Sequence, residues 1–322
     1  MDTRQPLDGK ATGLMLLLCM IWSLQQIFLK ATAEDFSPLL QIGLRSGISA
    51  VLVGLFMYLS GTRFIWDDGS WRPGLLGGAL FTLEFLLVGQ AVQHTTASHL
   101  VVFLYTAPIF AALGLHWKLP SERLSPLQWS GIGLAFAGIA VTFLGRGEPV
   151  AGGDFASMLW GDGLALMAGA AWGITTVVVR TTGLAHLPAT QTLLYQLVCA
   201  FVLLLVAAFA LGQTTFKPTA LVWASLGFQS VAVAFASFLV WFWLLRHYLA
   251  SRLGVFSFLT PLLGVILGAW LLNEPVEPNF LFGALLVVAG ILMVSAHQTL
   301  TQLAGRLRGV ARSSGSDPAP PA

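Results

Sequence analysis

Residues 97–117 read ASHLVVFLYTAPIFAALGLHW, and residues 250–270 read ASRLGVFSFLTPLLGVILGAW. At an offset of 153, Ala97, Ser98, Leu100, Val102, Phe103, Pro108 and Trp117 recur as Ala250, Ser251, Leu253, Val255, Phe256, Pro261 and Trp270. A slip of one residue follows. At an offset of 152, Leu119, Glu122, Pro126, Gly131, Leu134, Ala137, Gly138 and Ile139 recur as Leu271, Glu274, Pro278, Gly283, Leu286, Ala289, Gly290 and Ile291. A weaker echo at an offset of 150 pairs Trp22 and Lys30 with Trp172 and Arg180. Duplication of a membrane-type unit builds a path between two halves.

The repeated unit is of membrane type because of its composition. Of 322 residues, 56% are hydrophobic and 9% charged, against about 25% charged in soluble domains. A soluble globule of this kind would expose apolar patches and aggregate. Ten apolar stretches, at 13–33, 38–59, 73–93, 97–117, 126–145, 160–181, 189–211, 219–245, 251–272 and 279–298, are each long enough to cross about 30 Å of hydrocarbon as a helix. A β-barrel needs short alternating segments instead. The expected fold is an all-α membrane protein of ten transmembrane helices in two inverted five-helix repeats, over 11–147 and 160–300. Residues 146–156 read as the linker, and 301–322 as a disordered cytoplasmic tail. Ala31-Thr32-Ala33 resembles a signal-peptide cleavage site. The match of Trp22 to Trp172 argues that the first helix is retained.

Charge placement sets the orientation. With both termini cytoplasmic, twelve of the sixteen Lys and Arg residues fall on the inner side, among them Arg4, Lys10, Arg63, Lys118 and Arg252. Five helices per half is an odd number, so the second half inserts upside down. The charges follow: Lys118 and Arg123 of an inner loop are replaced by Leu271 and Pro275 of an outer one, and His99 corresponds to Arg252.

Polar groups within the apolar stretches mark candidate function, since a charge at membrane depth costs about 2.5–3.5 kcal/mol on insertion scales. Arg45 lies eight residues after Ser37, and Glu84 ten before His94. At 1.5 Å per residue both sit about 12–15 Å below the outer surface. An ion pair between them is feasible, as a substrate anchor, a proton-carrying carboxylate or a structural lock between helices. Burial disfavours a carboxyl's charged form, which suits Glu84 to proton carriage. Trp22, Gln25 and Gln26 in the first helix, with Trp172, Thr175 and Thr176 as their counterparts, are candidates to line a polar path or bridge helices. Tyr105 and Gln229 are further candidates; Tyr195 and Gln196 read as structural. Pro108 and Pro261 suggest two hinges or gates, or two static kinks. Gly131, Gly138, Gly283 and Gly290 fit close helix packing or a dimer contact. Glu122 and Glu274 precede helices and favour their N-termini. Trp241 and Trp243 read as an interfacial belt.

Enzyme chemistry finds little support. No HExxH, Walker A or dinucleotide fingerprint occurs, and His94 and His99 flank a helix corner with poor metal-ligand geometry. No cofactor, metal or nucleic-acid partner is expected. The expected partners are a small-molecule substrate and the lipid bilayer, with protons and a second copy of the chain as candidates. Cys19 and Cys199 read as small apolar residues.

The matched Trp residues, the two stretches TTASHLVVFLYTAPIFAAL and LASRLGVFSFLTPLLGVIL, the corners LPSERLS and LNEPVEP, and the Gly-rich helices after them resemble the EamA-type ten-helix members of the drug/metabolite transporter superfamily. The resemblance covers about residues 11–298. It implies a cavity between the halves lined by helices 1, 3, 4, 6, 8 and 9. It also implies a secondary transporter moving small metabolites, often outward, across a bacterial inner membrane, such as an amino acid or a related amphipathic compound. A facilitative channel or uniporter is the alternative, and a polytopic membrane enzyme the remote one. Arg45 and Glu84 depart from many relatives, so no substrate is carried over.

Overall fold

Without water beside it, a backbone must bond within its own segment, and continuous apolar runs therefore form helices. The computed structural model describes residues 9–65, 69–118, 123–144, 155–247, 257, 259–290 and 292–293. Among these, helices dominate and no strand occurs; Phe36 and Phe216 form an isolated antiparallel bridge. The helices are α1 (Gly9–Ala31), α2 (Pro38–Leu59), α3 (Trp71–His94), α4 (Ala97–Leu104), α5 (Ala107–Lys118), α6 (Pro126–Leu144), α7 (Phe155–Thr181), α8 (Ala189–Ala210), α9 (Ala220–Gly227), α10 (Phe238–His247), α11 (Leu259–Leu271) and α12 (Pro278–Gly290). A π-helical stretch, Phe228–Ser237, joins α9 to α10 without a break.

Seven segments are long and apolar enough to cross a membrane: α1, α2, α3, α4 with α5, α7, α8, and Ala220–Trp241. The remaining three expected spans appear as shorter apolar helices, Pro126–Val141, Leu259–Leu271 and Pro278–Gly290. The expected ninth and tenth spans run into 251–256 and 294–298, outside the described residues, as do most of the linker, Glu122, Arg252 and the 301–322 tail.

Local chemistry places the ends. Pro38 opens α2, where a missing N–H costs nothing. Thr96 and Thr219 cap α4 and α9 by accepting from the N–H groups of His99 and Val222. The fourth expected helix is split. Its chain breaks at Tyr105–Thr106, the Thr106 hydroxyl donates to the Phe103 carbonyl at 2.6 Å, and Pro108 falls in the first turn of α5. Pro261 likewise falls in the first turn of α11.

α3 packs along α7 and α8, α2 along α8, and α4 and α5 against α7; α11 lies against α1 and α4. The main core, with Leu100, Phe103, Val88, Leu164 and Phe280, lies among these elements. Outward residues are apolar too, as a lipid-facing surface requires: Val51, Val206, Phe209 and Ile266 are all exposed. Trp117 and Trp270, equivalent in the two halves, are 78% and 74% exposed. Trp241 packs edge-on against Trp22. At one loop Asp35 binds Lys217 at 2.9 Å, and this hydrogen bond and charge raise the Lys217 ammonium above its ordinary pKa.

The helix glycines act within the chain. A Cβ at Gly138 would lie 2.6 Å from the Gly283 carbonyl oxygen, and one at Gly290 would strike the Gly131 carbonyl. These contacts are reciprocal, because Gly131 and Gly138 are the counterparts of Gly283 and Gly290. Residue 138 meets 283 while 131 meets 290, so α6 and α12 run antiparallel at the contact.

Candidate functional site

Three helices converge on one buried polar ladder. On α2, Gln41, Arg45 and Ser49 recur every four residues and so share a face. Gln41 donates to the Ser225 hydroxyl, Arg45 Nη1 donates to Gln229 Oε1, and the Ser49 hydroxyl donates to the Ser230 carbonyl at 2.9 Å. Gln229 Nε2 then donates to the Gln25 carbonyl on α1 at 3.2 Å. The π-helical winding shapes this seam: it brings Gln229 and Ser230, adjacent in sequence, to α2 residues one turn apart. Such windings recur at functional sites.

Arg45 is buried, with its guanidinium carbon 4.5 Å from the centre of the Phe85 ring. Glu84, also buried, immediately precedes Phe85 on α3. The two charges feel one another but do not form an ion pair; Arg45 answers to Gln229 instead. Four buried polar atoms near this level make no hydrogen bond: Arg45 Nε, Glu84 Oε2, Gln26 Oε1 and Thr260 Oγ1. Buried groups left this way cost about 1–3 kcal/mol each, more when charged, so a partner that binds there gains by completing them.

Tyr105, at the break between α4 and α5, brings its hydroxyl beside Thr260 of α11 and within electrostatic reach of Glu84. Its ring meets Trp172 edge-on at 5.3 Å and 87°. The Ser23 hydroxyl ties α1 to α11 by donating to the Thr260 carbonyl at 2.8 Å. Arg45, Gln229 and Gln25 thus form one linked group. Glu84, Tyr105 and Trp172 form another beside it. Trp22 is engaged elsewhere: its indole N–H donates to the Ser237 hydroxyl at 2.9 Å, and it packs against the cluster containing Met15, Leu18 and Leu244. The Thr176 hydroxyl donates to the Trp172 carbonyl at 3.1 Å, a bond within its own helix. A mostly apolar groove of about 320 Å³ opens between α1, α2 and α10, lined by Lys10, Leu14, Phe56, Leu239, Val240 and Trp243. No His, Cys, Asp and Glu group suited to a metal ion occurs among the described residues.

Several participants carry weak sequence signals. Ser225, Ser237 and Thr260 look neutral in an apolar run and gain meaning only from their partners. Asp162 is different. It is a fully buried acid on α7, bound to His99 Nδ1 at 2.9 Å, and its place in an apolar stretch is itself a signal.

Comparisons with known proteins agree with this architecture. The chain is 26% identical over 280 residues to the uncharacterized transporter YoaV of Bacillus subtilis, covering 85% of this chain and 92% of that one. An uncharacterized transporter of Archaeoglobus fulgidus is 25% identical, with 91% and 99% covered. The uncharacterized inner membrane transporter YedA of Escherichia coli is 23% identical, with 89% and 91% covered. A solved crystal structure shares the fold at a TM-score of 0.63 and 20% identity, over 94% of this chain and 99% of its own. The profile of the EamA-like transporter family matches twice, at residues 10–144 and 159–296, and the chain belongs to that family.

Proposed function

We propose that this membrane transporter is a secondary carrier of the bacterial inner membrane, with ten helices in two inverted five-helix repeats and both termini cytoplasmic. It moves a small metabolite outward by alternating access, an amino acid or a related amphipathic compound. The observation that carries the reading is the central site. Arg45 and Glu84 are buried, opposite in charge and unpaired with each other, and each holds an unsatisfied polar atom. A zwitterion offers both charges at once, and Tyr105, Trp172 and Phe85 supply an apolar wall. Two facts support the inverted repeat: the profile matches twice, and the α6–α12 contact is reciprocal and antiparallel. A two-fold axis that exchanges antiparallel membrane helices lies in the membrane plane. The inner-membrane assignment draws on the name of the YedA relative. Pro108 and Pro261, each opening a helix after a turn, serve as hinges for the segments beyond them.

Glu84 takes up and releases the coupling proton in this scheme. The test is reconstitution in liposomes and a counterflow screen with labelled amino acids, with and without a pH gradient. Counterflow that a pH gradient accelerates supports coupled carriage. Counterflow indifferent to pH leaves a uniporter. Uptake without counterflow, at rates that do not saturate, would overturn alternating access in favour of a channel.

A further inference from the structure

The corner between α3 and α4, residues 95–99, is gripped from both neighbouring sides. Glu274, from the loop after α11, accepts hydrogen bonds from the backbone N–H groups of Ala97 and Ser98 at 2.6 and 3.0 Å and from the Ser98 hydroxyl at 2.6 Å. It therefore caps a helix of the other half rather than its own. Asp162 of α7 accepts from the Thr95 hydroxyl and binds His99, whose ring stacks on Phe280 of α12 at 3.9 Å. Lys30 of α1, within electrostatic reach of Glu274, donates to the carbonyls of Val92 and Thr95 at 2.7 Å each. Two glycines let the second half come this close. A Cβ at Gly161 would stand 2.9 Å from Thr95, and one at Gly268 would strike Ser98 and Glu274.

At the opposite end Glu122 and Ser251, the sequence counterparts of Glu274 and Ser98, lie outside the described residues, but the second grip is not repeated. At the offset of 150 that pairs Trp22 with Trp172, Thr12 stands where Asp162 stands, and Arg252 is the counterpart of His99. The equivalent acid–imidazole pair is therefore missing from the sequence. Packing is unequal in the same sense. α3 packs along much of α7, whereas α1 touches the π-helical stretch and α10 at few positions, and the groove lined by Lys10, Leu14 and Trp243 lies on that looser side.

We infer that Glu274 and Asp162 are positioning residues of a gate, which closes the transport path on the linker side by clamping the α3–α4 corner and must release it once per cycle. The inference rests on the alternating-access reading, and its test reads accessibility rather than transport. Gln25→Cys in a Cys19→Ala, Cys199→Ala background reports access to the centre. A membrane-impermeant thiol reagent is applied to intact cells and to inside-out vesicles. Labelling from the linker side should rise at least about tenfold in Glu274→Gln and in Asp162→Asn, since each loses charge-assisted hydrogen bonds. The pair Ser98→Cys, Gly268→Cys, once oxidised, should stop labelling from that side, keep it from the other, and recover with reductant. Should the single variants fail to accumulate, the disulfide lock decides. Unchanged labelling from both sides, in the variants or in the locked protein, would overturn the gate. Wild-type counterflow, measured separately, distinguishes that outcome from failure of the transporter reading itself.

Discussion

Glu84 and Arg45 sit one helix apart at similar depth, yet their side chains serve different partners. That difference sorts the experiments. Glu84→Gln keeps the shape and loses the proton, so membrane levels and counterflow should persist while acceleration by a pH gradient disappears. Unchanged acceleration would remove Glu84 from the coupling path. A swap of Arg45→Glu with Glu84→Arg should not rescue either single change, because Arg45 is held by Gln229 and not by Glu84. Gln229→Leu strands the guanidinium instead. The loss should be about 1.5–3 kcal/mol, the usual worth of a hydrogen bond to a charged group, read as a lowered thermal midpoint in detergent. Rescue of Gln229→Leu by Arg45→Leu would support this, since removing both partners relieves the unpaired charge. The sequence made Arg45, Glu84 and Gln229 visible because each is polar in an apolar run. It did not reveal which pairs form. Helix spacing fixes depth along one helix, whereas pairing depends on rotation about it and on the π-helical shift that carries Gln229 towards α2.

At the scale of elements, the apolar runs locate the helices well, and α2 coincides with its expected span at both ends. Two irregularities differ in legibility. Pro108 marked an irregularity near the break at Tyr105–Thr106, whereas the π-helical stretch leaves hydropathy unchanged, because it alters backbone bonding and not composition. The glycine pairs were legible as packing devices, but whether they face another helix or another copy required coordinates. They face within. Gly138→Val should therefore destabilise the fold by about 1–3 kcal/mol through overpacking, since its Cβ would meet the Gly283 carbonyl and the Leu286 side chain. Gly133→Ala, on the same helix with open space around it, should cost nothing or add helix propensity. Thermal melts of the two purified variants compare them directly. Equal stability would contradict the α6–α12 contact. Asn273 illustrates the same limit. Its positive φ of 53° turns the chain after α11 and aims Glu274 at α4, a role that a lone Asn in a loop does not announce.

For the whole molecule, two signals agree on an inverted pair of halves. The repeat comes from sequence, and the reciprocal contact of α6 with α12 comes from packing. Neither fixes which face meets the cytoplasm, because rotating the entire protein preserves every internal distance. Only the membrane breaks that symmetry, and positive charge is how the chain records it. Under the proposed topology, twelve of the sixteen Lys and Arg residues fall on the side of the termini. With the halves related by an in-plane axis, as proposed, their charges cannot be copied along with their helices. Lys118 has become Leu271, and His99 has become Arg252. Alkaline phosphatase folds to its active form outside the cytoplasm, so a fusion within 146–156 should be active and one after Arg312 inactive. A fusion near Arg63 should be inactive too. An active fusion after Arg312 with an inactive linker fusion would invert the orientation and place the Glu274 clamp on the cytoplasmic face. Equal activity at the linker and the C-terminus would require an even number of crossings between them, and would overturn the proposed five helices per half.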